Sequence, residues 1–156
     1  MATISFKLLP VNARGTLDPN LVSAVSLTTT NRTMLPLPPG NVQVNGHSWP
    51  NGAAYSGDVK LTWANRIRTA QTGRALVAQD AGSAAGTVEG SVTVDVLIAG
   101  TVKRSQAGIT GASFVYTHAQ RVADDPDLSE SVQFRITPVN GSYSGTVRTT
   151  DSFQMQ

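Results

Sequence analysis

The sequence predicts an all-β fold, a two-sheet sandwich of about seven strands with an N-terminal β arm. From Leu35 onward, apolar residues alternate with polar ones, which is the period of strands that bury one face. Charged residues make up only 14% of the chain, well under the roughly 25% of typical soluble domains. Gly, Thr, Ser and Val are frequent instead, and this composition favours short strands and tight turns over amphipathic helices.

The strands of the main domain follow from this alternation and from the turn residues between them. The third strand is the most regular, since Val or Ile occupies every even position of 92–98 while Thr93 and Asp95 face outward. Asn140 and Gly141 are predicted as the two left-handed residues of a type I′ hairpin turn. The predicted strands lie at 42–44, 59–63, 92–98, 101–104, 114–116 and 132–136. A final strand is predicted to contain Val147 and Phe153.

The inward positions of these strands predict the core. One helix of a turn or two is expected at 119–123, because Thr117 can cap it. The segment 65–90 is rich in Gly, Ala and Ser and is interpreted as a long mobile loop, with an edge strand at 74–79. The large residues predicted to form the core are Leu61, Trp63, Val94, Val96, Phe114, Tyr116, Phe134 and Ile136.

Residues 1–34 have a different texture and are interpreted as a docking arm, ahead of the sandwich at 35–156. Two alternating segments are joined by a turn at 18–20, where the sequence is DPN. Two strands alone are marginal in water, so the arm is expected to pack on the main domain or on a neighbouring subunit. Its predicted partner-contact residues are Ile4, Phe6, Leu8, Leu21, Val25 and Leu27.

Charge and composition exclude several classes of function. The net charge is only +2, so a phosphate-binding surface is not required, and no nucleic-acid partner is expected. The chain has no cysteine, which excludes disulfides, thiolate zinc sites and cysteine nucleophiles. No apolar run approaches the roughly 18 residues of a membrane span, and the N-terminus does not resemble a signal peptide. We therefore expect a protein that is not inserted in a membrane and is assembled in a cytoplasm.

No residues are spaced for catalysis or metal binding. The segment GSYSG at 141–145 has Tyr143 where a nucleophile elbow requires serine, and it lies in a predicted hairpin. His47 and His118 are the only histidines and lie on separate connections, which does not suit a zinc site. The acidic run DDPDLSE at 124–130 lacks the glycine and the ligand spacing of a calcium loop, so it is interpreted as a solvated turn. A protein with no catalytic residues, no metal and no cofactor is expected.

Two groups of residues could form binding surfaces. Nucleic-acid recognition would need aromatic residues among the cations, and the nearest one, Trp63, points inward, so the basic group is interpreted as a basic face at the end of the second strand. That group comprises Arg66, Arg68, Arg74, Lys103 and Arg104. Aromatic residues on loops at one end of a sandwich could instead contact a host surface or a glycan, and the candidates are Trp49, Tyr55 and Tyr143.

Four motifs in order resemble one known domain. They are the proline entry LPLPPG at 35–40, L-x-W-x-x-R-x-R at 61–68, D-V-L-x-x-G-x-V-x-R at 95–104, and F-x-Y-T-x-A-Q-x-x-A-D at 114–124. Over about residues 35–150 the chain resembles the fibronectin type III-like domain near the C-terminal end of tail-tip and host-specificity proteins of long-tailed bacteriophages and gene transfer agents. The 156 residues contain no counterpart of the hub and peptidase-like regions that precede this domain in such proteins, so the activities of those regions are not expected here.

The resemblance implies a fibronectin type III or immunoglobulin-like sandwich and a non-enzymatic virion protein at the tail tip, baseplate or tail fibre. Its expected partners are other tail proteins (hub, tail tube or fibre), with several copies around the tail axis and a host surface receptor as a further candidate. Two alternatives stay open from the sequence: a receptor- or carbohydrate-binding module, and a capsid decoration protein.

Overall fold

The computed structural model describes residues 3–13, 15–28, 35–48, 50, 52–66 and 89–156. The chain divides into two compact units, Met1–Met34 and Leu35–Gln156. In the first unit, β1 (Thr3–Phe6) pairs antiparallel with β4 (Val25–Thr28), and β2 (Val11–Asn12) pairs with β3 (Gly15–Thr16). A 3-10 helix, Pro19–Leu21, precedes β4.

The second unit consists of ten strands and one helix within its described residues. They are β5 (Gly40–Val44), β6 (Ala54–Tyr55), β7 (Val59–Ala64), β8 (Ser91–Ile98), β9 (Thr101–Ile109), β10 (Ser113–Tyr116), α1 (His118–Asp124), β11 (Val132–Asn140), β12 (Tyr143–Ser144), β13 (Arg148–Thr149) and β14 (Gln154–Met155).

The two principal sheets confirm the predicted all-β sandwich. One sheet has the order β10-β7-β5 and the other β12-β11-β8-β9, with β13 also paired to β11, and the pairs within both sheets are antiparallel. The chain forms β5 and β7 in the first sheet, crosses to the second for β8 and β9, returns to the first for β10 and crosses again for β11. This alternation between sheets is typical of immunoglobulin-like sandwiches.

The tight turns follow from residues that tolerate positive φ. Ala99 and Gly100 join β8 to β9 with φ of 48° and 76°, and two positive values define a type I′ turn. The type I′ turn predicted at Asn140 and Gly141 is wrong. Asn140 stays in β11 and pairs with Tyr143, so the loop is one residue later, and only Gly141 has a positive φ, of 57°. That sign pattern fits a type II′ turn.

The core lies between the two sheets, and seven of the eight predicted core residues are buried. The exception is Phe114, which is partly buried and packs against the core. Phe134 is the centre of an aromatic cluster, with ring centroids 6.1 Å from Phe114, 6.2 Å from Tyr116 and 5.3 Å from Phe153. The predicted core did not include Met155, which is fully buried.

The predicted last strand, with Val147 and Phe153, is in fact two short strands. The first, β13, pairs with β11, while β14 pairs in parallel with β6. Between them, Phe153 exchanges backbone hydrogen bonds of 2.8 and 3.0 Å with Val132. Val147 lies outside any strand and is exposed, in the connection between β12 and β13, which both pair with β11.

Candidate functional site

The β1–β4 ribbon of the first unit is amphipathic, and its register explains why. Thr3 pairs with Thr28 and Phe6 pairs with Val25, so residues that alternate along each strand also match across the ribbon. Two serines meet on the polar face, where the Ser5 and Ser26 Oγ atoms lie 3.1 Å apart. The other face carries only large apolar side chains, those of Ile4, Phe6, Val25 and Leu27.

Local polar contacts hold the connection between these strands. The Asp18 carboxylate accepts a hydrogen bond of 2.8 Å from the Asn20 backbone N–H, which caps the 3-10 helix. The Lys7 Nζ donates to the Pro19 carbonyl at 2.7 Å. The turn predicted from the DPN sequence is therefore present, as a short 3-10 helix.

All six predicted partner-contact residues are exposed. Their exposed fractions run from 43% for Phe6 to 74% for Leu21. Leu8 follows β1 and Leu21 lies in the 3-10 helix, while the other four form the apolar face of the ribbon. The sequence analysis missed Val11 and Leu17, which are also exposed, because neither lies in a long alternating segment. An exposed patch of this kind is the usual mark of an interaction surface.

The structure does not bring the aromatic glycan candidates together. Trp49 lies outside the described residues. Tyr55 is held on the core, with its hydroxyl donating to the Val44 carbonyl at 3.3 Å and its ring 5.6 Å from Phe153, and burial raises its pKa. Tyr143 pairs with the last residue of β11, whereas Phe153 contacts the first. Because β11 has nine residues, its two ends lie about 26 Å apart, so the two tyrosines share no aromatic stripe.

The two histidines serve local structure. His47 is exposed and shares a backbone bridge with Val44, and His118 begins α1, with its backbone N–H donating to the Asp58 carboxylate at 2.9 Å. The described residues contain no group of three His, Cys, Asp or Glu side chains that could hold a metal ion. The GSYSG segment lies in the β11–β12 hairpin, as the sequence indicated.

The interpretation of the acidic run as a solvated turn is wrong for its first two members. Asp124 ends α1 and accepts hydrogen bonds from Arg104 at 2.9 and 3.1 Å and from the Tyr116 hydroxyl at 2.9 Å. Asp125 forms an ion pair of 2.7 Å with Arg121. Asp124 therefore fastens the helix to β9 and β10, whereas Asp125 holds Arg121 of the helix and the Glu130 backbone N–H of the segment that follows.

Arg121 is a fully buried cation whose partners come from the segment after α1. Its Nη2 atom donates to the Glu130 carbonyl at 2.8 Å, and its Nη1 atom pairs with Asp125. Hydrogen bonds from Arg121 and then from the Glu130 backbone lower the pKa of Asp125. Burial foremost, and then the hydrogen bond to Asp124, raises the pKa of Tyr116.

Asp95 forms a second polar cluster on the outer face of β8. It was predicted to face outward, and it does lie on that face, but it is only 8% exposed. Ser105 donates to it at 2.6 Å and Arg135 at 2.9 and 3.0 Å, and these neighbours cover it.

The predicted basic face is not formed by the arginines that the structure describes. Arg66 is only 8% exposed and lies against Gly40, where a Cβ atom would overlap its guanidinium. Arg104 is paired with Asp124, as described above. Trp63 does point inward, with its Nε1 donating to the Asn65 side chain at 2.9 Å. Arg68, Arg74 and the edge strand predicted at 74–79 lie outside the described residues. The same is true of 67–88, which is most of the segment predicted to be a mobile loop.

Within the described ranges, no helix is long and apolar enough to cross a membrane. No protein-family model matches the chain, and no curated protein shows significant similarity to it.

Proposed function

We propose that this protein is a non-enzymatic structural component of a bacteriophage virion, located at the tail tip, the baseplate or a tail fibre. The ribbon docks it onto another tail protein, and the sandwich is the rigid body that the ribbon anchors. The observation that carries this proposal is the exposed apolar face formed by Ile4, Phe6, Val25 and Leu27.

The physical argument concerns what the ribbon gains from a partner. Each large apolar side chain contributes about 1.5–3 kcal/mol when it passes from full exposure to full burial, and these four start about half exposed. A two-stranded ribbon is marginally stable by itself, so a covering surface would also fix its conformation. Neither strand carries a charged residue, so burying them carries no desolvation cost for a charge.

The virion assignment rests on the sequence resemblance, and several residues of its motifs form polar contacts in the structure. Asp124 of the last motif accepts hydrogen bonds from Arg104 of the preceding motif and from Tyr116 of its own. Asp95, in the same motif as Arg104, binds Arg135 from β11. These motif residues stabilise the sandwich, so the resemblance supports a shared domain. We assign recognition of the partner to the arm instead.

Incorporation into particles tests the proposal. In the phage that encodes the chain, we expect the full-length protein to co-purify with virions and the Ile4→Ser/Leu27→Ser variant to be lost from them. The matched control is Thr3→Ser/Thr28→Ser, which changes the same two strands on the polar face and should be incorporated normally. Quantitative immunoblots of purified particles give the measurement.

Deletion of residues 1–34 supplies the second arm of the test. The buried core lies at 44–155, so the shortened protein should stay soluble, keep a β circular dichroism spectrum and be absent from particles. If the deletion unfolds the sandwich, the arm is part of the core and the docking proposal fails. A cryo-electron map that places the protein on the head would replace the tail assignment with capsid decoration.

A further inference from the structure

The ribbon has two strand edges without partners among the described residues. β1 and β4 pair only with each other, so each presents an outer row of backbone N–H and C=O groups. Such rows are templates for pairing with another strand, and natural proteins usually protect them with charged side chains, proline or bulges.

The ribbon edges lack every one of these protections. The strands read TISF and VSLT, with no charged residue, no proline and no glycine, and their register is continuous. Lys7 follows β1 directly and could have protected it, but its Nζ atom is directed at the Pro19 carbonyl.

Two edges of the sandwich show the contrast within the same chain. β9 carries Lys103 and Arg104, and its register with β8 shifts twice. β5 follows Pro38 and Pro39, and its register with β7 shifts between Gly40 and Gln43. These edges are protected against adding strands, whereas the edges of the ribbon are not.

We propose that the ribbons of two copies of this chain pair edge to edge, as antiparallel strands, to form a four-stranded sheet. In an antiparallel contact between identical edges, residues near the twofold axis face their own copies, so a charge there would repel its counterpart, and the absence of charge permits the contact. The third and fourth strands supply what a two-stranded ribbon needs for stability. This contact uses the edge and leaves the apolar face free, so it is separate from the docking proposed above.

Sedimentation equilibrium of the full chain between about 10 µM and 1 mM tests the pairing. We expect the mass to rise from that of one chain toward that of two. Ser5→Lys places a charge on β1 and Ser26→Lys places one on β4, both on the polar face. The variant whose strand forms the contact should raise the dissociation constant about tenfold or more at low salt, because like charges then face each other. High salt should restore the dimer by screening.

A charge swap separates repulsion from loss of structure. An equimolar mixture of the affected lysine variant with its Ser5→Glu or Ser26→Glu counterpart should associate at least as well as the wild type. The matched control is Ser113→Lys, which puts the same charge on β10, an uncharged edge strand of the sandwich. That variant should dimerise like the wild type.

Two results would overturn the pairing. One is a wild-type mass that stays at one chain over the whole range. The other is a dimer that Ser113→Lys weakens and that neither ribbon variant affects, which would place the contact on the sandwich. A monomeric protein that still needs Ile4 and Leu27 for incorporation would remove this inference and leave the proposed function intact.

Discussion

At the scale of single residues, buried polar contacts were the least predictable part of the structure. Asp124 and Asp125 were interpreted as solvated because charged residues are mostly exposed. The partners of Asp124, Arg104 and Tyr116, lie 20 and 8 residues away, on strands whose packing against α1 no local pattern encodes. Only the Arg121 to Asp125 spacing of four residues was readable as an i,i+4 pair.

Tyr116 yields a pH-dependent prediction. Its pKa is raised in the folded state above the ordinary value of 10.0, so folding favours its neutral form. The stability linked to this shift is complete below pH 10.0 and declines as the pH rises above it, because the unfolded chain then ionises first. We expect the wild type to lose more unfolding free energy than Tyr116→Phe between about pH 8 and pH 11.

Denaturant unfolding at both pH values measures this difference, and absorbance of tyrosinate in the native protein gives an independent check. The Tyr143→Phe variant is the control, since it removes a partly exposed tyrosine of β12. Equal pH dependence in wild type and Tyr116→Phe would show that the Tyr116 hydroxyl is accessible in solution.

At the scale of elements, local signals predicted the pieces whose causes are local. Thr117 accepts a hydrogen bond from the Gln120 backbone N–H, and the Gln120 side chain accepts one from the Thr117 backbone N–H, which completes a capping box at the start of α1. The hairpin turn after β11 was misplaced by one residue, because strand pairing extends β11 as far as Asn140. The alternation in the sequence correctly placed the apolar side chains of the ribbon on one face. It did not predict which residues of β1 pair with which residues of β4.

The capping box gives a prediction at this scale. Thr117→Ala removes the side-chain oxygen that satisfies the Gln120 N–H and should cost about 1 kcal/mol of unfolding free energy. Thr117→Ser keeps the hydroxyl and should stay within a few tenths of a kcal/mol of the wild type. Urea denaturation of the three proteins gives the measurement. A loss as large in Thr117→Ser as in Thr117→Ala would mean that the methyl group matters and the cap does not.

At the scale of the whole molecule, period-2 alternation predicted the sandwich class and most of its core. The alternation is informative because a side chain that points into the core must be apolar, whichever of the two sheets its strand joins. It could not predict the path of the chain after β11, where β12 and β13 pair with β11 and β14 then pairs with β6. Nothing in the residues around 148–155 distinguishes one strand from two, because the strands that pair with β13 and β14 lie elsewhere in the sequence.

The end of the chain therefore tests how the sandwich closes. Met155 is fully buried on β14, and Gln156 donates from its backbone N–H to the Tyr55 carbonyl at 2.8 Å. Met155→Ala should cost about 2–5 kcal/mol of unfolding free energy, the range for removing a buried Met side chain. Gln154→Ala, on the same strand but only partly buried, should stay within about 0.5 kcal/mol. Denaturant unfolding of the full chain measures both, and equal stability of the two variants would mean that β14 does not pair with β6 in solution, leaving that edge of the sandwich open.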